Sequence, residues 1–378
     1  MEEQGFKENF NRTYEVLGIC GKGAYGTIYK IQDRSTKKLF ALKEIKYNEN
    51  EYKELTNISL LPSHYNIRKY QTFHIGSRID SLQNLLKKNS NKFREDQIKS
   101  SGSKKTKRTN LGNVLFSNST DLKSIRPCSP ILFARKAKNI KDEVKKHNRK
   151  YIYIISDFCK LTLRKFIDLR NQIINNERSL SSTPLIVQKG LIVEDNKISI
   201  NRPFITCLFT DIVRGIRFLH DNNIMHRDLK PDNIFFENDY QNVPKIGDFG
   251  SIKFCKQSSQ DFSLFTINIG TTTYNAPEIS SSFYNKNIDV YSLGLIYFEL
   301  ICPFKTEIER VYAFEKLRNN GKILSGLKSN FDAECDVIEQ CLVHNPVVRP
   351  TSKKLFHNVF NFNVKRDNDK SFFLKNSA

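Results

Sequence analysis

His226-Arg227-Asp228-Leu229-Lys230-Pro231-Asp232-Asn233, with Asp248-Phe249-Gly250 beginning fifteen residues beyond it, is the stretch on which the reading of this chain turns. It follows a segment in which Ile205, Leu208, Phe209, Ile212, Val213, Ile216 and Leu219 form one apolar stripe at helical spacing. A helix with such a stripe needs a core, and the loop after it is thereby anchored. That loop gathers carboxylate, amide and ammonium groups within eight residues. Taken singly, His-Arg-Asp reads as a capped loop and Asp-Phe-Gly as a turn. Their joint occurrence at this interval, directly after an amphipathic helix, makes both of those readings poor.

Downstream of the block the chain predicts helices at Ile288 to Ile301, Ile308 to Asn319, Ala333 to Leu342 and Ser352 to Val359. Upstream the period changes. Residues 14 to 48 alternate apolar and polar positions around a glycine turn, which predicts three antiparallel strands. A helix follows from Glu51 to Leu61, ended by Pro62, and a strand runs from Tyr70 to Ile75. Tyr151 to Ile155 resumes as a strand after a long polar stretch. The expected architecture is α+β and bilobal: a small antiparallel β-rich lobe with one main helix, then a larger helical lobe. The expected boundaries are an N-terminal extension over 1–13, a domain over 14–357 divided into lobes at 14–157 and 158–357, and a C-terminal tail over 358–378. A second, shorter insertion is expected over 171–200.

The formal charge of +21 is unevenly spread. Residues 77–150 hold 20 Lys and Arg against 6 Asp and Glu, a net +14 in about a fifth of the chain. So little apolar surface cannot offset the entropy of ordering, and most of this insert, between strands 4 and 5, is expected to be mobile. Lys104-Lys105-Thr106-Lys107-Arg108 within it reads first as a solvated lysine run, with phosphate binding or a nuclear address as alternatives. Eight cysteines without metal-ligand spacing, and no signal-peptide pattern, lead us to expect reduced thiols in a cytoplasmic or nuclear protein. The longest apolar stretch, Val290 to Pro303, is interrupted by Ser292, Gly294 and Glu299 and is shorter than the ~20 residues that span a bilayer. No membrane association is expected.

Two further motifs complete a set. Gly21-Lys22-Gly23-Ala24-Tyr25-Gly26 is followed by strand-like Ile28-Tyr29-Lys30, where a dinucleotide-binding turn would need a helix. A strand-glycine-strand hairpin suits a cover over a triphosphate, because glycines let backbone amides approach phosphate oxygens. Ala41-Leu42-Lys43 then supplies a lysine, and Glu54, on a helix face related to that of Leu55, Ile58 and Leu61, a carboxylate to pair with it. Glu51 is the alternative, almost a turn earlier. Phosphate cover, lysine, loop carboxylate and metal ligands together are the parts for phosphoryl transfer.

These motifs resemble those of eukaryotic protein kinases. The resemblance implies Asp228 as catalytic base, Lys230 beside it in the pattern of serine/threonine kinases, and a Lys43–Glu54 ion pair. It implies ATP and Mg²⁺ as cofactors, with Asn233 and Asp248 as metal ligands. Nucleotide contacts are implied at Ile19, Gly21, Gly23, Gly26, Ile28, Ala41, Lys43, Asp157, Cys159 and Phe235, the last as the floor under adenine. Ala276-Pro277-Glu278 would close the activation segment, with Arg349 as buried partner of Glu278 and Asp289 supporting the catalytic loop. Ser156 stands at the back of the adenine pocket, where a bulkier residue is usual.

Lys43-Glu44-Ile45-Lys46-Tyr47-Asn48, Asn233-Ile234-Phe235-Phe236, Lys245 to Gly250, and Leu293 to Leu300 running into Pro303 to Arg310 are similar to the kinases of the alpha subunit of eukaryotic translation initiation factor 2. That family also carries an expanded loop between strands 4 and 5. The likeness implies this subunit as protein substrate in stress control of translation, docked near Phe304. It also implies an activating phosphate on Thr266, met by Arg227, and Thr271 as support for Asp228 and Lys230. A homodimer is left open, since the Arg-Asp pair that joins family members is not recognisable in residues 1–13. A serine/threonine kinase of another cell-cycle or stress family is the first alternative. A kinase-fold binding protein that holds RNA or ribosomes through the basic insert is the second.

Overall fold

The computed structural model describes residues 2–23, 26–79, 82, 84, 150–237, 243–255, 263–264, 272–281, 283–321, 323 and 325–360. The chain divides into two compact units, residues 1–48 with 72–156, and residues 49–71 with 157–378.

The first unit is built on strands β1 (Tyr14–Gly23), β2 (Gly26–Asp33), β3 (Leu39–Lys46), β4 (Tyr70–Ser77) and β5 (Lys150–Asp157). They form one sheet in the order β1-β2-β3-β5-β4, with β1–β2 and β2–β3 antiparallel. Alternation divides the faces as the sequence implies. Thr27, Tyr29 and Ile31 of β2 and Leu42 and Glu44 of β3 are buried, while Ile28, Lys30, Ala41 and Lys43 between them are only half-buried. The apolar members Tyr29, Ile31 and Leu42 pack with Tyr153 and Ile155 of β5 into one cluster.

Two segments that look peripheral in the sequence prove to be part of this core. The expected N-terminal extension is a helix, α1 (Glu2–Thr13), whose Phe10 is 2% exposed in the cluster and whose Phe6 stacks on His74 at 4.2 Å. An apolar sheet face must be covered, and these two rings cover it. The insert expected from 77 begins inside the fold as well, because Ile79 and Leu82 are fully buried in the same cluster. Residues 85–149, with the basic run at 104–108, lie outside the described residues. So does the tail beyond 360.

The second unit collects the helices. The first helix after β3, α2 (Glu49–Ser59), groups here and not with the sheet as expected, because its Ile58 joins the large apolar core of this unit. Helix α3 (Leu163–Ile174) starts at Thr162, whose hydroxyl accepts from the Lys165 amide at 3.2 Å. The insertion expected over 171–200 is folded: α3 runs through its start, α4 (Leu185–Lys189) buries Ile186 and Val187, and Leu191–Glu194 pairs with Lys197–Ile200. Asp195 and Asn196 turn that hairpin with φ of 47° and 60°, left-handed values these residue types tolerate.

Helix α5 (Arg202–Asp221) turns its predicted stripe inward and stacks Phe209 on Tyr297 at 3.8 Å. Tyr297 belongs to α6 (Asn287–Ile301), which is buried along its whole length and forms the axis of the unit. Helix α7 (Glu307–Asn320) opens on a side-chain cap at Thr306 and a second bond one residue before it. Thr306 accepts from the Glu309 amide at 3.1 Å, and Glu309 accepts from the Lys305 amide at 2.8 Å. Gly321, at φ 64°, closes the helix. Asp332–Cys341 and residues 352–360 complete the helices expected from the sequence. Among the described residues, no helix is long and apolar enough to cross a membrane, and the seven cysteines are free thiols.

Candidate active site

Helix α5 ends at Asp221, Asn223 turns with φ 60°, and the short strand Ile224–Met225 leads into the His226 block. One buried carboxylate fixes the loop beyond that strand. Asp289, 1% exposed near the start of α6, accepts from the His226 amide at 2.8 Å and from the Arg227 amide at 2.9 Å. His220 Nε2 lies 2.9 Å from the same carboxylate. Burial alone would raise the Asp289 pKa, but hydrogen bonding and charge from His220 and His226 outweigh it and hold the carboxyl below its ordinary value. The loop needs this support because Arg227 sits at φ 65°, where a long side chain is strained.

Asp228, Lys230 and Asn233 come together as expected. Lys230 Nζ lies 2.9 Å from Asp228 Oδ2, and Asn233 Nδ2 donates to the Asp228 carbonyl at 2.7 Å and to Oδ2 at 3.1 Å. The carboxylate is thus aimed by an ammonium and an amide on one rigid loop. Asp248 is left-handed, φ 59°, just ahead of Phe249, which is 2% exposed and wedged edge-on against Tyr70 and His226 at 5.6 and 5.8 Å. The Phe249 amide donates to the Tyr70 hydroxyl at 3.0 Å, which holds the strained turn in place.

Glu54 and Arg227 have their contacts within the second unit. Glu54, expected to hold Lys43, pairs with Lys253 at 2.7 Å. Lys253 stands on a two-residue strand beside Ile224–Met225, in the same unit as α2, so its ammonium is presented to the helix. Arg227, expected to meet a phosphate on Thr266, donates to the Ser251 and Ile252 carbonyls at 2.6 and 3.4 Å and to the Tyr284 hydroxyl at 3.2 Å. Thr266 and Thr271 lie outside the described residues.

Asp157, Cys159 and Phe235 form a second cluster with a residue that sequence reasoning passes over. Arg68, 8% exposed, donates to the Asp157 carbonyl and lays its guanidinium 4.4 Å from the centre of the Phe235 ring. In sequence it looks like one of two adjacent surface bases, Arg68-Lys69. Nothing in the sequence marks it; the structure shows it beside the Ile67–Ile246 bridge, with its amide donating to the Ile246 carbonyl at 2.8 Å.

In the first unit the strand register sets Ile28 opposite Lys43 and Lys30 opposite Ala41 on the half-buried face. Gly21 pairs with Ile28, and Gly23 with Gly26 across the turn. Gly26 has φ 124°, and a Cβ there would lie 2.1 Å from the Glu44 carbonyl oxygen, so only glycine fits. Ile19 pairs with Tyr29 between two register shifts and also packs against the cluster of the covered face, a use the sequence does not signal.

The scaffold pairings hold. Arg349 binds Glu278 through both terminal nitrogens, one contact being 2.8 Å, and Glu278 is thereby tied to the end of the helical unit. Glu299, fully buried in α6, takes Arg164 at 2.6 Å and the Tyr274 hydroxyl at 2.5 Å.

The family described as protein kinase domain matches residues 136–361, more than half of the chain. The chain belongs to the protein kinase family. It is 35% identical over 161 residues to eukaryotic translation initiation factor 2-alpha kinase 3 of Rattus norvegicus, a match covering 40% of this chain and 14% of that protein. It is 24% identical over 368 residues to eIF-2-alpha kinase GCN2 of Arabidopsis thaliana, covering 92% of this chain and 25% of that one. With the interferon-induced, double-stranded RNA-activated protein kinase of Rattus norvegicus the identity is 25% over 351 residues, covering 92% of this chain and 52% of the relative. The chain therefore spans about half or less of the length of each of these relatives.

Proposed function

We propose that this chain transfers the γ-phosphate of ATP to an aliphatic hydroxyl of a protein, and that the protein is the alpha subunit of initiation factor 2, in the cytoplasm. The observation that carries the chemistry is the Asp228 carboxylate, aimed by Lys230 and Asn233 on a loop pinned to Asp289. Asp228 orients the acceptor hydroxyl and receives its proton, and Lys230 balances charge beside it. The glycine hairpin offers backbone amides to phosphate oxygens, and Lys43 offers an ammonium. The donor set of the second unit fits Mg²⁺: the Asn233 amide oxygen and the Asp248 carboxylate are hard oxygens of the kind it takes. When bound, Mg²⁺ supplies neutralisation of phosphate charge. The substrate assignment rests on relatives named as kinases of that subunit.

The test is transfer of labelled phosphate from ATP to recombinant initiation factor 2 alpha, by the intact chain and by Asp228→Asn. Label on the subunit with the native chain and at least about a thousandfold less with the variant is expected. Equal labelling by the variant would overturn the catalytic role. Labelling of a generic serine substrate but not of the subunit would leave a serine/threonine kinase of another family.

A further inference from the structure

Arg68 is an unusual group to find buried between the Asp157 carbonyl and the Phe235 ring. It is more than nine-tenths buried, and among the described residues no carboxylate comes within ion-pairing distance of it. One terminal nitrogen donates to the Asp157 carbonyl, Nε is buried with no hydrogen-bond partner, and the other terminal nitrogen makes no hydrogen bond to the described protein. The side-chain stem is wedged over Gly247, where an added Cβ would come within 3.0 Å of Arg68 Cδ, and the guanidinium lies over the Phe235 ring. Burial raises the Cys159 thiol pKa and the Arg68 charge pulls it back part of the way, which places that charge beside Asp157 and Cys159. A buried cation with one carbonyl and one ring face is short of acceptors.

We propose that Arg68 reads the purine base, and that the chain accepts GTP as phosphate donor beside ATP because the guanidinium binds the 6-oxo edge of guanine. This rests on the proposed kinase function, in which Asp157, Cys159 and Phe235 hold the base. The Asp157 carbonyl is an acceptor suited to the 6-amino group of adenine, yet Arg68 already donates to it. A base that brings a second donor there meets the guanidinium donor to donor. Guanine brings two acceptors on one edge, O6 and N7, the pair that an arginine fork matches with two parallel hydrogen bonds. Adenine offers N7 alone on that edge. Phosphate chemistry is the same for both nucleotides, so the choice lies with the base contacts.

The test is the dissociation constant of each Mg²⁺-nucleotide for the intact chain, by calorimetry, for ATP, GTP, inosine triphosphate and 7-deaza-GTP. GTP is expected to bind within about tenfold of ATP. Inosine triphosphate should follow GTP, because it keeps O6 and N7, and 7-deaza-GTP should bind several-fold more weakly than GTP. Arg68→Met keeps the apolar stem over Phe235 and removes the fork, and it should shift the GTP-to-ATP ratio toward ATP by about tenfold or more. If the intact chain binds ATP but GTP more than about a hundredfold more weakly, or if 7-deaza-GTP equals GTP, the proposal about Arg68 is overturned while the kinase reading stands. If no nucleotide binds, both are overturned. The analogue series needs no variant, so a failure of Arg68→Met to fold leaves the proposal exposed to refutation.

Discussion

Replacing Asp289 by alanine removes, in one step, the acceptor of two buried backbone amides and the partner of His220. The His226 and Arg227 amides, held at 2.8 and 2.9 Å, would be left buried without an acceptor. Each such donor costs about 1–3 kcal/mol, and loss of a buried carboxylate from its partners costs about 3–5 kcal/mol in all. For a helical unit of this size a kilocalorie is worth roughly 2–4 °C, so melting should fall by roughly 10 °C. Asp289→Asn should cost about half as much, since its amide oxygen serves one backbone donor while its nitrogen faces the other. The carboxyl pKa is lowered in the folded state. Its contribution is therefore complete above the unfolded value near 3.8 and is lost as pH falls through the folded one. Melting followed by circular dichroism at about pH 7 and at steps below about pH 4 should show the native chain and Asp289→Asn converging in acid. Phosphate transfer should fall in both variants at neutral pH, because Arg227 at φ 65° has lost its support. Melting within a degree of the native chain for both variants, or a gap that widens in acid, would refute the argument.

Gly26→Ala places a Cβ 2.1 Å from the Glu44 carbonyl at a φ of 124°, so the hairpin must open. Destabilisation of more than about 1–3 kcal/mol and a raised KM for nucleotide are expected, read by melting and steady-state kinetics. A double-mutant cycle on Glu54→Ala and Lys253→Ala should give a favourable coupling of about 0.5–1 kcal/mol, because the lysine is 38% and the glutamate 16% exposed. Zero coupling would mean that the pair does not order the segment after Phe249.

What is legible in the sequence is what depends on neighbours along the chain. The His226 block, Asp248-Phe249-Gly250, the stripe of α5 and the all-apolar run of α6 each contain their own meaning within one turn or one loop. Asp289 and the Arg349–Glu278 pair emerge through resemblance, and the contacts agree. What escapes is polar residues whose partners are distant. Nothing near Glu54 announces Lys253, 199 residues on. The helix over residues 2–13 escapes because two phenylalanines in a polar segment look incidental until the sheet face that needs them is counted. Strand phase carries more of this information than its use in finding strands suggests. Glu44 shares the phase of Tyr29 and Leu42 on the covered face, and a carboxylate there must find donors, which it does in the Tyr29 and Tyr153 hydroxyls at 3.0 and 3.3 Å. Arg68 poses the same question, and there the answer is only half supplied by the protein: one carbonyl and one ring accept it, two nitrogens find no partner among the described residues, and the missing acceptors are of the kind a bound purine brings.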